Sequence, residues 1–312
     1  MRTRLIVLAI LLAAPALAQS PAYHPPRTPD GHPDFQGNWT TRWTTPLERA
    51  PEYTSLVISA EDGAKLHDAH LKHLSESDPL GADHGWDFTG PLVIRGETRS
   101  SLVVDPPDGR LPYTDQGRAI RAAFRPFVGD EGPEQRGLNE RCLMGGSGYA
   151  PFLSIPAGNL RQIVETRDSV VILSESFAQL RIIPIDGRKG PAIPRGGSSS
   201  GRWDGDTLVV ETTGFLKGDR FRFSPTSSFP ITPATRITER FVLIGADDIL
   251  YRYTVEDPAI FTRAWTAESL LKRSADRVLE FACHEGNYGL VGILAGARAA
   301  EKRAALKAKT KP

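Results

Sequence analysis

Cysteine is nearly missing from this chain. Cys142 and Cys283 are the only two in 312 residues, which excludes a framework of several disulfides. Charge of one sign is also missing: 38 basic residues face 37 acidic ones. Nucleic-acid binding calls for a concentrated positive surface, so this balance argues against it. No apolar run after the first 18 residues is long enough to span a bilayer, so no membrane span is expected. No Gly-x-Ser-x-Gly elbow occurs, although Gly146-Ser147-Gly148 suggests one. The stretch Gly196-Gly197-Ser198-Ser199-Ser200-Gly201 is expected to be a flexible loop. It is not followed by the Lys-Ser/Thr and helix that a phosphate cradle needs.

What is present begins with a leader. Arg2 and Arg4 precede the apolar run Leu5–Leu12, and Ala16-Leu17-Ala18 is a small-residue cleavage site, so residues 1–18 read as a secretory signal. Its removal takes two of the 38 basic residues and leaves a net charge of 36 − 37 = −1. A periplasmic or secreted destination follows. In an oxidising compartment Cys142 and Cys283 are most simply a disulfide, and closing so long a loop contributes about 4–5 kcal/mol as an upper figure. A reactive thiol beside His284 is the rival reading.

Residues 19–34, rich in proline, read as an extended arm, and 35–292 as one β domain with a loop-rich insertion over about 50–158. Residues 59–74 have a helical pattern with Ser59 as N-cap and Asp62 three residues on. A second helix is expected over 114–125, and a basic helical tail over 293–312. From Leu160 onward, runs of alternating apolar residues are punctuated by Asp-Gly-type turns, with no crossover helices. These runs are 160–166, 169–175, 179–186, 202–203 and 207–213 about a turn at 204–206, 235–244, 249–257, 261–272 and 277–285. The expected fold is mainly β: an antiparallel up-and-down meander closing into a barrel, or a strongly curved sheet. Gly37-Asn38-Trp39 at its start resembles the opening of lipocalin-like barrels.

Alternation divides each strand into two faces. If the aromatic faces turn inward, Tyr251, Tyr253, Arg263 and Trp265 line a cavity with Glu239, Glu280 and His284. The alternative is that the charged residues pair across an exposed face. The run Cys283-His284-Glu285-Gly286-Asn287-Tyr288 sets an imidazole, a carboxylate, an amide and a phenol at a strand end. His284, Glu285 and Glu239 are therefore the candidate acid/base residues. Tyr251, Tyr253, Arg263, Trp265, Asn287, Tyr288 and Trp203 are the candidate ligand contacts. His67, His70 and His73 could offer pairs of metal ligands, with His84 or Asp87 completing a set. A solvated helix face explains them equally, and neither metal nor cofactor is expected.

Three motifs occur in order: Thr28-Pro-Asp-Gly-His-Pro-Asp-Phe-Gln-Gly-Asn-Trp39, Gly201-Arg-Trp-Asp-Gly-Asp-Thr-Leu-Val-Val-Glu-Thr-Thr-Gly-Phe215 and Ala282-Cys-His-Glu-Gly-Asn-Tyr288. With them the chain resembles a large family of exported bacterial proteins for which no activity is settled. The resemblance implies compartment and unity of the domain more than chemistry. That family pattern carries Gly-Asp-Ser-Arg-Gly where this chain has Gly197-Ser198-Ser199-Ser200-Gly201. It carries Glu-Asn-Leu-His where this chain has Pro233-Ala234-Thr235-Arg236. If that Asp and His are catalytic in relatives, the chemistry here is lost or changed. Three functions fit the sequence. One is a binding barrel for a hydrophobic or sugar-like metabolite; another is a cofactor-independent lyase, isomerase or hydrolase. The third is an envelope scaffold. The oligomeric state is left open.

Overall fold

Along the chain, β1 (Gly37–Thr40) is followed by an insertion of small elements: β2 (Val57–Ile58), α1 (Ala60–Ser77), β3 (Val93–Ile94), β4 (Glu97–Arg99), β5 (Val103–Asp105) and α2 (Asp115–Ala123). This computed structural model describes residues 23–77, 88–123, 129, 131–138, 140–143, 148–155, 158–217, 221–224 and 227–309. The expected signal and the first residues of the arm lie outside them. The second half supplies β6 (Leu160–Glu165), β7 (Ser169–Ser174), β8 (Gln179–Pro184), β9 (Ser198–Asp204), β10 (Thr207–Thr213), β11 (Phe221–Ser224), β12 (Ser227–Pro230), β13 (Arg236–Gly245), β14 (Asp248–Glu256), β15 (Trp265–Ser274) and α3 (Tyr288–Lys309). Among the described residues no helix is long and apolar enough to cross a membrane.

The described residues are mainly β, with 34% strand against 21% helix. The large sheet runs β8-β7-β6-β1-β15-β14-β13-β10-β9, with β5 also on β15, and every pairing is antiparallel. Two meanders, one of β6–β8 and one of β9, β10 and β13–β15, are joined by the four residues of β1, which pairs with β6 on one side and β15 on the other. The end strands β8 and β9 share no ladder. The chain just after β8 still reaches β9: Gly190 donates its N–H to the Ser199 carbonyl at 2.8 Å. A Cβ on Gly201 would stand 2.9 Å from Ile183 Cγ2, so only glycine lets β9 come this close to β8.

Period-2 alternation fixes the inward face. In β13, Ile237, Glu239, Phe241 and Leu243 are buried, and in β14 Ile249, Tyr251, Tyr253 and Val255. Trp39, Phe229, Phe261 and Trp265 complete an aromatic interior, in which Trp265 meets Tyr253, Phe229 and Phe261 edge-on with centroids 5.0–5.9 Å apart.

α1 begins as its residues require: Ser59 Oγ accepts the Asp62 N–H at 3.0 Å and donates to Asp62 Oδ2 at 2.8 Å. α2 starts at Thr114, whose Oγ1 accepts the Gly117 N–H at 2.9 Å.

Two expectations fail, and the small three-stranded sheet β2-β4-β3 and the β11-β12 pair were not foreseen. Ser198–Gly201 is the first half of β9, not a loop. Residues 277–285 are not a strand. β15 already has β14 on one side and β1 and β5 on the other, so no edge is left there for another strand. The chain instead returns beside the turn after β7, where the Leu279 N–H reaches Glu175 Oε1 at 3.1 Å and Phe281 packs on Phe177. Cys142 and Cys283 form the disulfide that holds this segment. α3 follows, capped by Asn287 Oδ1 accepting from Leu290 N at 3.3 Å.

Candidate functional site

The arm ends as a tight loop over one end of the sheet. The Thr28 N–H donates to the His32 carbonyl, Gly31 N–H to the Thr28 carbonyl and Asp34 N–H to the Pro26 carbonyl, at 2.8–2.9 Å. Gly31 takes φ +84°, a conformation that favours glycine. Arg27 fixes the loop to the β9–β10 turn through two bonds to Asp206, at 2.7 and 2.9 Å. This loop holds the His32 ring flat on the indole of Trp203, centroids 4.5 Å apart and 7° from parallel. Phe35 packs on the same indole at 5.8 Å.

Between loop, strand ends and the β6–β7 turn lies a half-open cleft of about 290 Å³, lined by Asp30, His32, Gln36, Glu165, Arg167 and Trp203 among others. Glu165 is the inward residue that closes β6, and its Oε1 accepts the Phe35 N–H. Burial lifts its carboxyl to about 7, and nearby Asp34 pushes the same way against that hydrogen bond. Trp203 Nε1 is buried with no hydrogen-bond partner. The cleft thus offers an aromatic platform and a carboxyl that gains and loses its proton near neutrality.

A second polar cluster lies inside the sheet. Arg181 crosses from β8 to bind Glu239 on β13 with two nitrogens, at 2.6 and 3.2 Å. The Tyr251 hydroxyl donates to Glu239 Oε1 at 2.7 Å and accepts the Phe152 N–H at 3.0 Å. Arg181 also reaches Ser199 and Thr212, each at 3.2 Å. Burial works against the Arg181 charge, but the Glu239 carboxylate outweighs it and holds the guanidinium above its usual value. Burial, then Glu239, raises the Tyr251 phenol.

The expected constellation is not assembled in one place. Glu239, Tyr251, Tyr253 and Trp265 are interior, and Tyr253 and Trp265 are packed among aromatic rings. Arg263 is on the surface, because it sits in the turn before β15 and pairs with Asp105 of β5 at 2.5 Å. His284, Glu285 and Glu280 are exposed, since their segment is not a strand and has no inward face. Tyr288 is 81% exposed at the start of α3. Asn287 is taken up by helix capping and by donating to the Glu140 carbonyl at 2.6 Å. Of the expected contacts, Trp203 alone lines the cleft.

The histidines of α1 also part company. His70 is buried edge-on to Phe88, and burial first, then His73 and His67, lower it to about 4. His67 pairs with Thr44 Oγ1 at 3.1 Å, and His73 is exposed. Among the described residues no three metal-ligating side chains converge; His84 and Asp87 lie outside those residues.

His32, Glu165, Arg161 and Arg181 were missed from sequence. His32 had a signal, since its motif and the Trp203 motif are the two longest in the chain. No protein-family model matches this chain, and a search of curated proteins finds no match.

Proposed function

We propose that this is an exported protein that binds a small molecule in the cleft beneath its N-terminal arm, with the sheet rolled into a barrel-like support. The observation that carries the reading is the meeting of the His32–Trp203 stack and Glu165 in one cleft of about 290 Å³. Aromatic platforms with a few convergent polar groups suit planar or sugar-like rings. The disulfide and the leader-like residues 1–18 support export, as does the resemblance to exported bacterial proteins.

A thermal-shift screen of the purified protein against monosaccharides, disaccharides and aromatic carboxylic acids tests this. At least one hit is expected, and Trp203→Ala should weaken its binding tenfold or more. No hit, or hits indifferent to both Trp203→Ala and His32→Ala, would overturn the reading.

One observation favours a second reading, a cofactor-independent acid/base enzyme. A carboxyl that titrates at about 7 is matched to proton transfer at neutral pH. In that case Glu165→Gln abolishes turnover of the hit, seen by mass analysis, and leaves its affinity largely intact. In a carrier no turnover is found and only affinity moves.

A further inference from the structure

Away from the cleft, the inner face of β6–β8 carries polar atoms that no protein group satisfies. They are Ser174 Oγ, Ser176 Oγ, both amide atoms of Gln179, and Arg181 Nε. The four side chains are buried, with Gln179 the most exposed at 5%. They form one patch. Ser174 stands directly opposite Gln179 in the β7–β8 ladder, and Arg161 directly opposite Ser174 in the β6–β7 ladder. Arg181 is two residues from Gln179 on the same face. Ser176 sits in the tight turn between these strands, where Phe177 and Ala178 take φ +59° and +46°. Facing cross-strand residues of this kind have Cβ atoms about 4.5–5.5 Å apart. So many orphaned atoms together are unusual in a folded interior, where nearly all buried polar groups find partners.

Donors outnumber acceptors in the patch. Two hydroxyls, an amide NH₂ and the Arg181 N–H can donate against one orphaned acceptor, the Gln179 amide oxygen, and the Arg161 guanidinium lies beside them. Glu239, the carboxylate of the network, is already engaged by two nitrogens of Arg181 and by Tyr251. Arg161 donates to Thr41 Oγ1 at 3.0 Å and to the Asn159 carbonyl at 2.8 Å, and lies 4.2 Å over the Phe152 ring. We infer that Ser174, Ser176, Gln179 and Arg181 form an internal oxyanion site, which takes a carboxylate or a phosphate distinct from the ligand of the cleft. Support comes from Arg161, whose guanidinium is pushed down to about 9 by burial and, among its charged neighbours, by Arg181. A negative ligand nearby would ease both costs.

Isothermal titration of the purified protein in chloride buffer tests the inference, with inorganic phosphate in one arm and acetate or succinate in the other. Saturable binding of at least one anion is expected, and which arm binds identifies the oxyanion. Ser174→Ala and Gln179→Leu should each weaken it tenfold or more. Leu180→Ser, on the outer face of the same strand and 47% exposed before substitution, should leave it unchanged. If Gln179→Leu fails to fold by near-ultraviolet circular dichroism, Ser176→Ala, which removes a single oxygen, takes its place. Absence of saturable binding in both arms would overturn the inference, as would equal affinity in the folded variants. The orphaned atoms would then be served by water alone.

Discussion

Glu239 and Arg181 show how much one buried contact can decide. Neither side chain is more than 2% exposed, so each charge is tolerable only beside the other. Glu239→Gln keeps the shape and removes the charge, leaving the Arg181 guanidinium buried beside a neutral amide. A loss of about 3–5 kcal/mol is expected, read from urea denaturation at neutral pH. A loss below 1 kcal/mol would mean that Arg181 finds another anion. Glu165 works in the opposite sense. Its folded carboxyl titrates at about 7, above the ordinary 4.5, because burial disfavours the charge. At pH 4 the folded and unfolded chains both hold this proton, and it contributes nothing to the pH dependence. As pH rises from 4.5 to 7 the unfolded chain releases its proton first, so stability falls, and above 7 the loss is complete. Glu165→Gln should therefore stabilise the fold at pH 8 by about 1–2 kcal/mol, allowing for partial solvent screening, and by nothing at pH 4. Melting the two proteins side by side across this range checks both the size and the sign.

At the scale of single elements, legibility depended on whether alternation and burial agree. In β13 and β14 they do: Phe241, Tyr251 and Tyr253 are apolar by pattern and interior in fact. In β8 they are inverted. Leu180 and Ile182 face out, 47% and 37% exposed, while Gln179 and Arg181 face in. Read by hydrophobicity, that strand turns its polar inner face to solvent, which is why Arg181 escaped notice. Residues 277–285 mislead differently. Val278, Glu280, Ala282 and His284 alternate like a strand, but a strand also needs a free edge, and edges are set by partners far away in sequence. His284 lost its inward position for that reason. The segment is held instead by the Cys142–Cys283 bridge, with a sequence separation of 141. Replacing both cysteines with serine should cost up to about 4–5 kcal/mol on the chain-entropy model. Protease cleavage should then move into residues 275–287 while β13–β15 stay protected. Unchanged cleavage would show that Phe281 on Phe177 and the Asn287–Glu140 bond suffice to dock it.

The whole molecule turns on β1. The hairpins within β6–β8, β9–β10 and β13–β15 could be read locally, because consecutive strands with short turns pair with each other, whereas β10 meets β13 only across residues 214–235. The joint between the two sets could not, since its four residues are far in sequence from both partners: Trp39 is opposite Arg161 on one side and Arg273 on the other. Trp39 is fully buried, donates its indole N–H to the Phe35 carbonyl at 2.8 Å, and has the Arg273 guanidinium 4.3 Å over its ring. One residue thereby secures both meanders and the base of the loop that carries His32. Trp39→Ala should cost about 3–5 kcal/mol, the range for emptying a large aromatic site in a core. Its distribution is the sharper test. If β1 makes one cooperative unit of the two meanders, tryptophan fluorescence and far-ultraviolet circular dichroism will report a single coincident transition, shifted to lower urea with its slope unchanged. Two separated transitions in the variant would mean that each meander holds its own core, and that β1 only lies between them.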